Sequence, residues 1–115
     1  MIKRKAEQET EIREKMRGGA GHVAIRHYFK PEEITAKTRL CAELTLPPGS
    51  GIGPHEHAEE DEIYIIQKGR GMMTDGGKEI AVSAGDAILT GGGASHSIRN
   101  TGEEDLVVTA VIMKY

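Results

Sequence analysis

GSGIGPHEHAEEDEIYIIQKGRG, residues 49–71, sets two histidines, four consecutive acids and an apolar run between glycine-bearing turns. His55 and His57 stand at i and i+2. On a β-strand that spacing sends both imidazoles to one face, whereas on a helix it points them apart. Glu60 and Glu62 share one parity and Glu59 and Asp61 the other. Glu62 also opens the run Ile63–Ile66, so a strand there fixes its carboxylate toward the interior. The segment reads as β-structure with a cluster of titratable groups on its inner face.

Outward from this stretch the chain keeps the same character. Residues 39–49, RLCAELTLPPG, alternate Leu40, Ala42, Leu44 and Leu46 with Arg39, Cys41, Glu43 and Thr45, then stop at Pro-Pro-Gly. That is the pattern of a half-buried strand ending in a turn. Similar strands are predicted at 22–29, 62–69, 70–74, 78–86, 87–93, 95–105 and 106–115, with a loop at 30–38. Asp75-Gly76-Gly77 is a hairpin signal. Many short strands divided by turns predict an all-β sandwich or barrel. Residues 6–17, AEQETEIREKMR, are good helix formers, and Gly18-Gly19 would end a helix there. Ile12 and Met16 give it only a thin apolar stripe, so residues 1–21 are expected to form a helical or extended arm ahead of one barrel domain at 22–115.

Composition narrows the partners. A chain of 115 residues suits one domain, and with no Trp and one Phe the core must be filled by Ile, Val, Leu and Met. The net charge of −3 and the lack of a clustered basic face argue against nucleic acid. The longest apolar run, Leu106–Met113, is far short of a membrane span. A lone cysteine, Cys41, excludes an intrachain disulfide framework, and the N-terminus shows no apolar leader, so a cytoplasmic location is expected.

A third histidine, His96, follows a glycine turn in GGGASHSIRN. Three imidazoles with one carboxylate suit a divalent transition metal. Four protein ligands leave two octahedral positions for water or substrate, which fits Mn, Fe, Ni or Co and allows Zn. Imidazole binds metal only when neutral, so affinity should fall on acidification. A lone His-x-His is a weak signal, and surface or hydrogen-bonded histidines are the alternative reading.

Two motifs now carry a family resemblance. Gly49-x5-His55-x-His57-x4-Glu62-x6-Gly69 matches the first cupin motif at every fixed position, and Gly85-x5-Gly91-x-Gly93-x2-His96-x3-Asn100 matches the second, with Gly91 where proline is usual. The chain resembles a small single-domain metal-binding cupin of the cupin 2 type. The resemblance implies a jelly-roll β-barrel with one divalent metal on His55, His57, Glu62 and His96. Gly91 should loosen the turn before His96. Glu59, Glu60 and Asp61 are expected at the rim, facing water. Tyr64 and Ile66 share the parity of Glu62 and should line the interior, with Tyr64 either a core residue or a hydrogen-bond donor to substrate or metal-bound water. Ile52 stands where oxalate-acting cupins carry an arginine clamp, which argues against an oxalate decarboxylase or oxidase. Arg26 and Arg39 are expected on the surface, His22 and His27 at the surface or a strand edge, and Asn100 at a strand end.

Two functions follow. The first is a metalloenzyme (lyase, isomerase or dioxygenase) acting on a small carboxylate, keto/enol or sugar-like substrate, with Tyr64 as the candidate catalytic residue. The alternative is a non-catalytic, metal-dependent module that binds a small anion. A homodimer is expected, with the arm at 1–17 and the strand at 22–29 as its contact.

Overall fold

Alternation decides where strands form and which way they face. In β3 (Thr38–Leu46) Ala42, Leu44 and Leu46 are buried while their neighbours are not, and in β10 (Leu106–Lys114) Leu106, Val108, Ala110 and Ile112 behave alike. The computed structural model describes residues 1–115. The remaining strands are β1 (Thr10–Glu14), β2 (His22–His27), β4 (Gly51–Glu56), β5 (Glu60–Lys68), β6 (Arg70–Asp75), β7 (Lys78–Ser83), β8 (Ala87–Gly91) and β9 (Ser95–Asn100). Three single-turn 3-10 helices lie at Lys5–Glu7, Met16–Gly18 and Pro31–Glu33.

The strands make two antiparallel sheets, one in the order β1-β2-β3-β10-β5-β8 and the other β4-β9-β6-β7. They close face to face into the expected jelly roll around one apolar cluster that includes Val23, Leu44, Ile52, Ile66, Met73 and Val108. Of Met72 and Met73, only Met73 is buried. The hairpin at 75–78 forms as read: Asp75 pairs with Lys78, and Gly76 and Gly77 take φ of 58° and 80°. Two successive left-handed residues are what a two-residue hairpin turn demands. Asn100 is a structural staple at the end of β9. It is buried, its Nδ2 donates to the carbonyls of Leu46 and Glu104 at 2.8 Å, and its Oδ1 accepts from the Gly102 amide.

Of the two forms expected for the arm, helical or extended, the extended one forms. Residues Thr10–Glu14 instead pair with β2, Thr10 opposite Arg26 through Glu14 opposite His22. An isolated helix of this length is marginal in water, and the Ile12–Met16 stripe is too thin to anchor one. The edge of β2 offers the backbone a full set of partners, so tertiary pairing overrides local propensity. The arm is therefore extended, and β1 is the edge strand of the six-stranded sheet. No helix is long and apolar enough to cross a membrane.

Candidate metal centre

The first histidine motif runs from one sheet into the other. β4 carries His55, the turn at 57–59 carries His57, and β5 carries Glu62. Glu59 adopts φ of 57°, which lets the chain reverse into β5. Opposite β4, β9 brings in His96, and its register sets His96 directly across from His55. A bulge lies between Ile52 and His55, where Pro54 can give no amide to the ladder. His57 is pinned to the start of β9 by two backbone bonds, its amide to Ala94 O (3.0 Å) and its carbonyl from Gly93 (2.9 Å).

These elements bring all four predicted ligands together. The donor atoms of His55, His57, Glu62 and His96 lie within 4.8 Å of one another. His96 Nε2 is 3.0 Å from both His55 Nε2 and His57 Nε2. Glu62 Oε1 is 2.9 Å from His57 Nε2 and 3.0 Å from His96 Nε2. The three rings meet edge to face at interplanar angles of 70–89°, so their Nε2 atoms aim at a common point.

The protonation pattern favours a cation at that point. His55 Nδ1 donates to Gly53 O at 2.8 Å and His57 Nδ1 to Glu60 Oε2 at 2.6 Å, which leaves each Nε2 a bare lone pair. Glu62 Oε1 is buried and accepts no hydrogen bond of proper geometry. Burial pushes the Glu62 carboxyl up, but the adjacent imidazoles, when they carry protons at Nε2, outweigh it and lower the pKa to about 2; with neutral rings a bound cation would take over that role. With the rings neutral, lone pairs converging beside a carboxylate repel one another unless a cation, a proton or a metal ion, sits among them. The donor set, three imidazole nitrogens and one carboxylate oxygen, fits a divalent transition metal.

Glu60 corrects the expectation that the acidic cluster lies at the rim. Glu59 is exposed, whereas Glu60 is only 8% exposed and supports the site from behind. Its carboxylate accepts from His57 Nδ1 and, as a fork, from Arg39 Nε (3.0 Å) and Nη2 (2.7 Å). Hydrogen bonding from Arg39 overcomes burial and, with His57, lowers the Glu60 pKa, while Glu60 raises that of Arg39. A carboxylate behind a ligating histidine fixes the ring and raises its basicity. Arg39 is thus partly exposed but engaged. His27, also expected at a strand edge, is half-buried at the cavity mouth.

Tyr64 is 2% exposed and stacks on His96, ring centroids 5.1 Å apart and 19° from parallel. Burial, and then the charge of Glu62, raises its hydroxyl pKa well above 10. A cavity of about 410 Å³ opens from His55, His57 and Glu62 past Ile25, Leu44, Ile52 and Tyr64 to a charged mouth formed by β1 and the turn after it.

The fold agrees with the comparisons. The family model described as "Cupin domain" matches residues 42–112, and the chain belongs to the cupin family. It is 45% identical over 113 residues to an "Oxalate-binding protein" of Thermotoga maritima, covering 98% of this chain and 93% of that one. A crystal structure from Thermotoga maritima, described as a "predicted oxalate decarboxylase", superposes with a TM-score of 0.95 at 44% identity over the whole of both chains. A protein of Methanocaldococcus jannaschii is 33% identical over 84 residues, 73% of this chain and 67% of its own.

Proposed function

We propose that the protein binds a small oxygen-chelating anion at the open positions of one divalent transition metal (Mn, Fe, Ni, Co or Zn). His55, His57, Glu62 and His96 hold the ion. The observation that carries this reading is the convergence of three Nε2 atoms and a carboxylate oxygen inside the barrel. The metal supplies Lewis acidity, drawing a ligand's carboxylate or carbonyl oxygens to it. The oxalate-binding relative supports the chemical class. Binding is favoured over turnover by the walls next to the donors. Ile25, Leu44, Ile52 and Tyr64 carry no free acid or base suited to proton transfer at neutral pH, and Glu60 is occupied by Arg39 and His57. Ile52 also leaves that wall without a guanidinium clamp.

One observation keeps the enzyme reading as the second. Tyr64 stacks on a ligand and keeps its proton through the neutral range, so it can donate a hydrogen bond but is a poor base. Pairing of two copies belongs to the same proposal, because β1 presents the outer edge of a sheet. Light scattering on the full chain and on a chain lacking residues 1–17 checks it, and a dimer unchanged by the deletion would move the contact elsewhere.

Titration calorimetry with oxalate on metal-free and metal-loaded protein tests the main reading. The expected result is one metal per chain and oxalate binding only when metal is present, both lost in His55→Ala. Metal content unchanged in His55→Ala, or no oxalate binding with any of the five metals, would overturn it. Turnover of oxalate or a related acid would favour the enzyme.

A further inference from the structure

The cavity is larger than the ligand just proposed. It holds about 410 Å³, whereas the six heavy atoms of oxalate fill at most about 180 Å³ even at a water's share of ~30 Å³ each. Its wall is also zoned. Its buried lining holds the metal donors with Ile25, Leu44 and Ile52, and its exposed lining is charged, with the acids Glu9, Glu11 and Glu32 as well as arginines.

Four cationic side chains line this cavity: Arg13, Arg17, Lys30 and Arg39. Three are already neutralised. Arg39 is held by Glu60, Lys30 by Glu9, and Arg13 by Glu11 at 3.1 Å. Arg17 pairs with no carboxylate.

The backbone of Arg17 is also specially held. Its φ of 54° and ψ of 29° are left-handed, a conformation uncommon for a residue with a long side chain. The turn is seated backbone to backbone on β4. A Cβ on Gly53 would lie 2.0 Å from the Arg17 carbonyl oxygen, and one on Gly19 would lie 2.3 Å from that of Gly51. Two glycines thus allow the close approach that sets Arg17 at the mouth. Strained, over-determined residues of this kind gather at ligand clamps.

We propose that Arg17 is a specificity-determining residue that receives the outer anionic group of an elongated ligand. That ligand is a 2-oxo or 2-hydroxy dicarboxylate whose chelating end meets the metal and whose short apolar spacer lies along Ile25, Leu44 and Ile52. The inference rests on the chelating-anion reading above.

The test uses the full, metal-loaded chain and three probes in titration calorimetry: oxalate, 2-oxobutanoate and 2-oxoglutarate. The first has only the chelating head, the second adds an apolar tail, and the third adds a distal carboxylate. Arg17→Asn removes the charge while suiting the left-handed turn, and Arg17→Lys retains a cation. The native chain should bind 2-oxoglutarate more tightly than 2-oxobutanoate. Arg17→Asn should weaken 2-oxoglutarate about tenfold, as loss of a charge-assisted hydrogen bond predicts, and leave the other two probes unchanged. Arg17→Lys should restore most of the difference. Equal losses for all three probes, no loss for any, or a native chain that does not prefer 2-oxoglutarate over 2-oxobutanoate would overturn the role of Arg17. Oxalate binding alongside such a result leaves the chelating-anion reading standing, whereas failure of all three probes with every metal sinks both.

Discussion

Glu60 shows how one side chain can govern a candidate metal site that it does not enter. Its carboxylate fixes the tautomer and the tilt of His57, and Arg39 keeps it ionised. Glu60→Gln keeps the shape and removes the charge. Metal affinity should fall about 10–100-fold, the usual cost of losing such a partner, with the fold intact; competition against a chromophoric chelator measures it. Arg39→Ala should cost less, because its side chain is 45% exposed and water can replace it beside Glu60. A larger loss in Arg39→Ala than in Glu60→Gln would reverse that ranking. The four candidate ligands were legible as a cluster because their motif spacings lie in the sequence itself. Glu60 was misplaced at the rim although its parity with Glu62 pointed inward, because an acidic cluster is usually solvated and a glutamate is seldom buried unpaired. Its partner Arg39 lies 21 residues upstream, and no local pattern joins them.

At the scale of elements, the loop between β8 and β9 is where the sequence departs from the family pattern. Gly91 was expected to loosen it. The structure instead shows a latch: Tyr115 Oη donates to Asp61 Oδ1 at 2.6 Å and accepts from the Gly92 amide at 2.9 Å. Glycine at 91 is what makes room for Asp61, since a Cβ there would lie 1.8 Å from Asp61 Oδ1 and 3.0 Å from its Cα. Gly91→Ala should therefore destabilise the fold by roughly 1–3 kcal/mol, as overpacking does, which a urea melt would show. A neutral result would mean that Asp61 swings clear without loss. The latch also has a pH limit. The hydrogen bond to Asp61 raises the Tyr115 pKa above 10. A raised folded pKa means that the stabilisation is complete below pH 10 and is lost as pH climbs through the higher folded value. The Gly92 amide resonance should titrate in that alkaline range in the native chain and stay still in Tyr115→Phe. Most strands were legible because alternation is a local signal. The latch was not, because it joins the last residue to a loop 23 positions earlier, and β1 was not, because only the free edge of β2 makes it a strand.

For the molecule as a whole, the candidate site would act as a cross-link once a metal is bound. His55 and His96 belong to the four-stranded sheet, Glu62 to the six-stranded one, and His57 to the turn between them. One cation gripped by all four would tie the two faces of the barrel together and relieve the repulsion among the inward nitrogen lone pairs and the Glu62 carboxylate. The unfolded chain holds these residues apart and binds metal weakly, so binding should appear as stability. At a free metal concentration of 100 Kd the gain is about 2.7 kcal/mol, and for a chain of 115 residues each kcal/mol raises the melting temperature by about 4 °C. The chain should therefore melt on the order of 10 °C higher or more with its metal than after chelation. The shift should shrink on acidification, because imidazole must give up its proton to bind. His96→Ala should abolish the shift, since it removes a ligand that bridges two others at 3.0 Å. A scanning-calorimetry trace that moves equally in the native chain and in His96→Ala would mean that the metal binds elsewhere. One that moves in neither, with any of the five metals, would mean that packing alone holds the four side chains together.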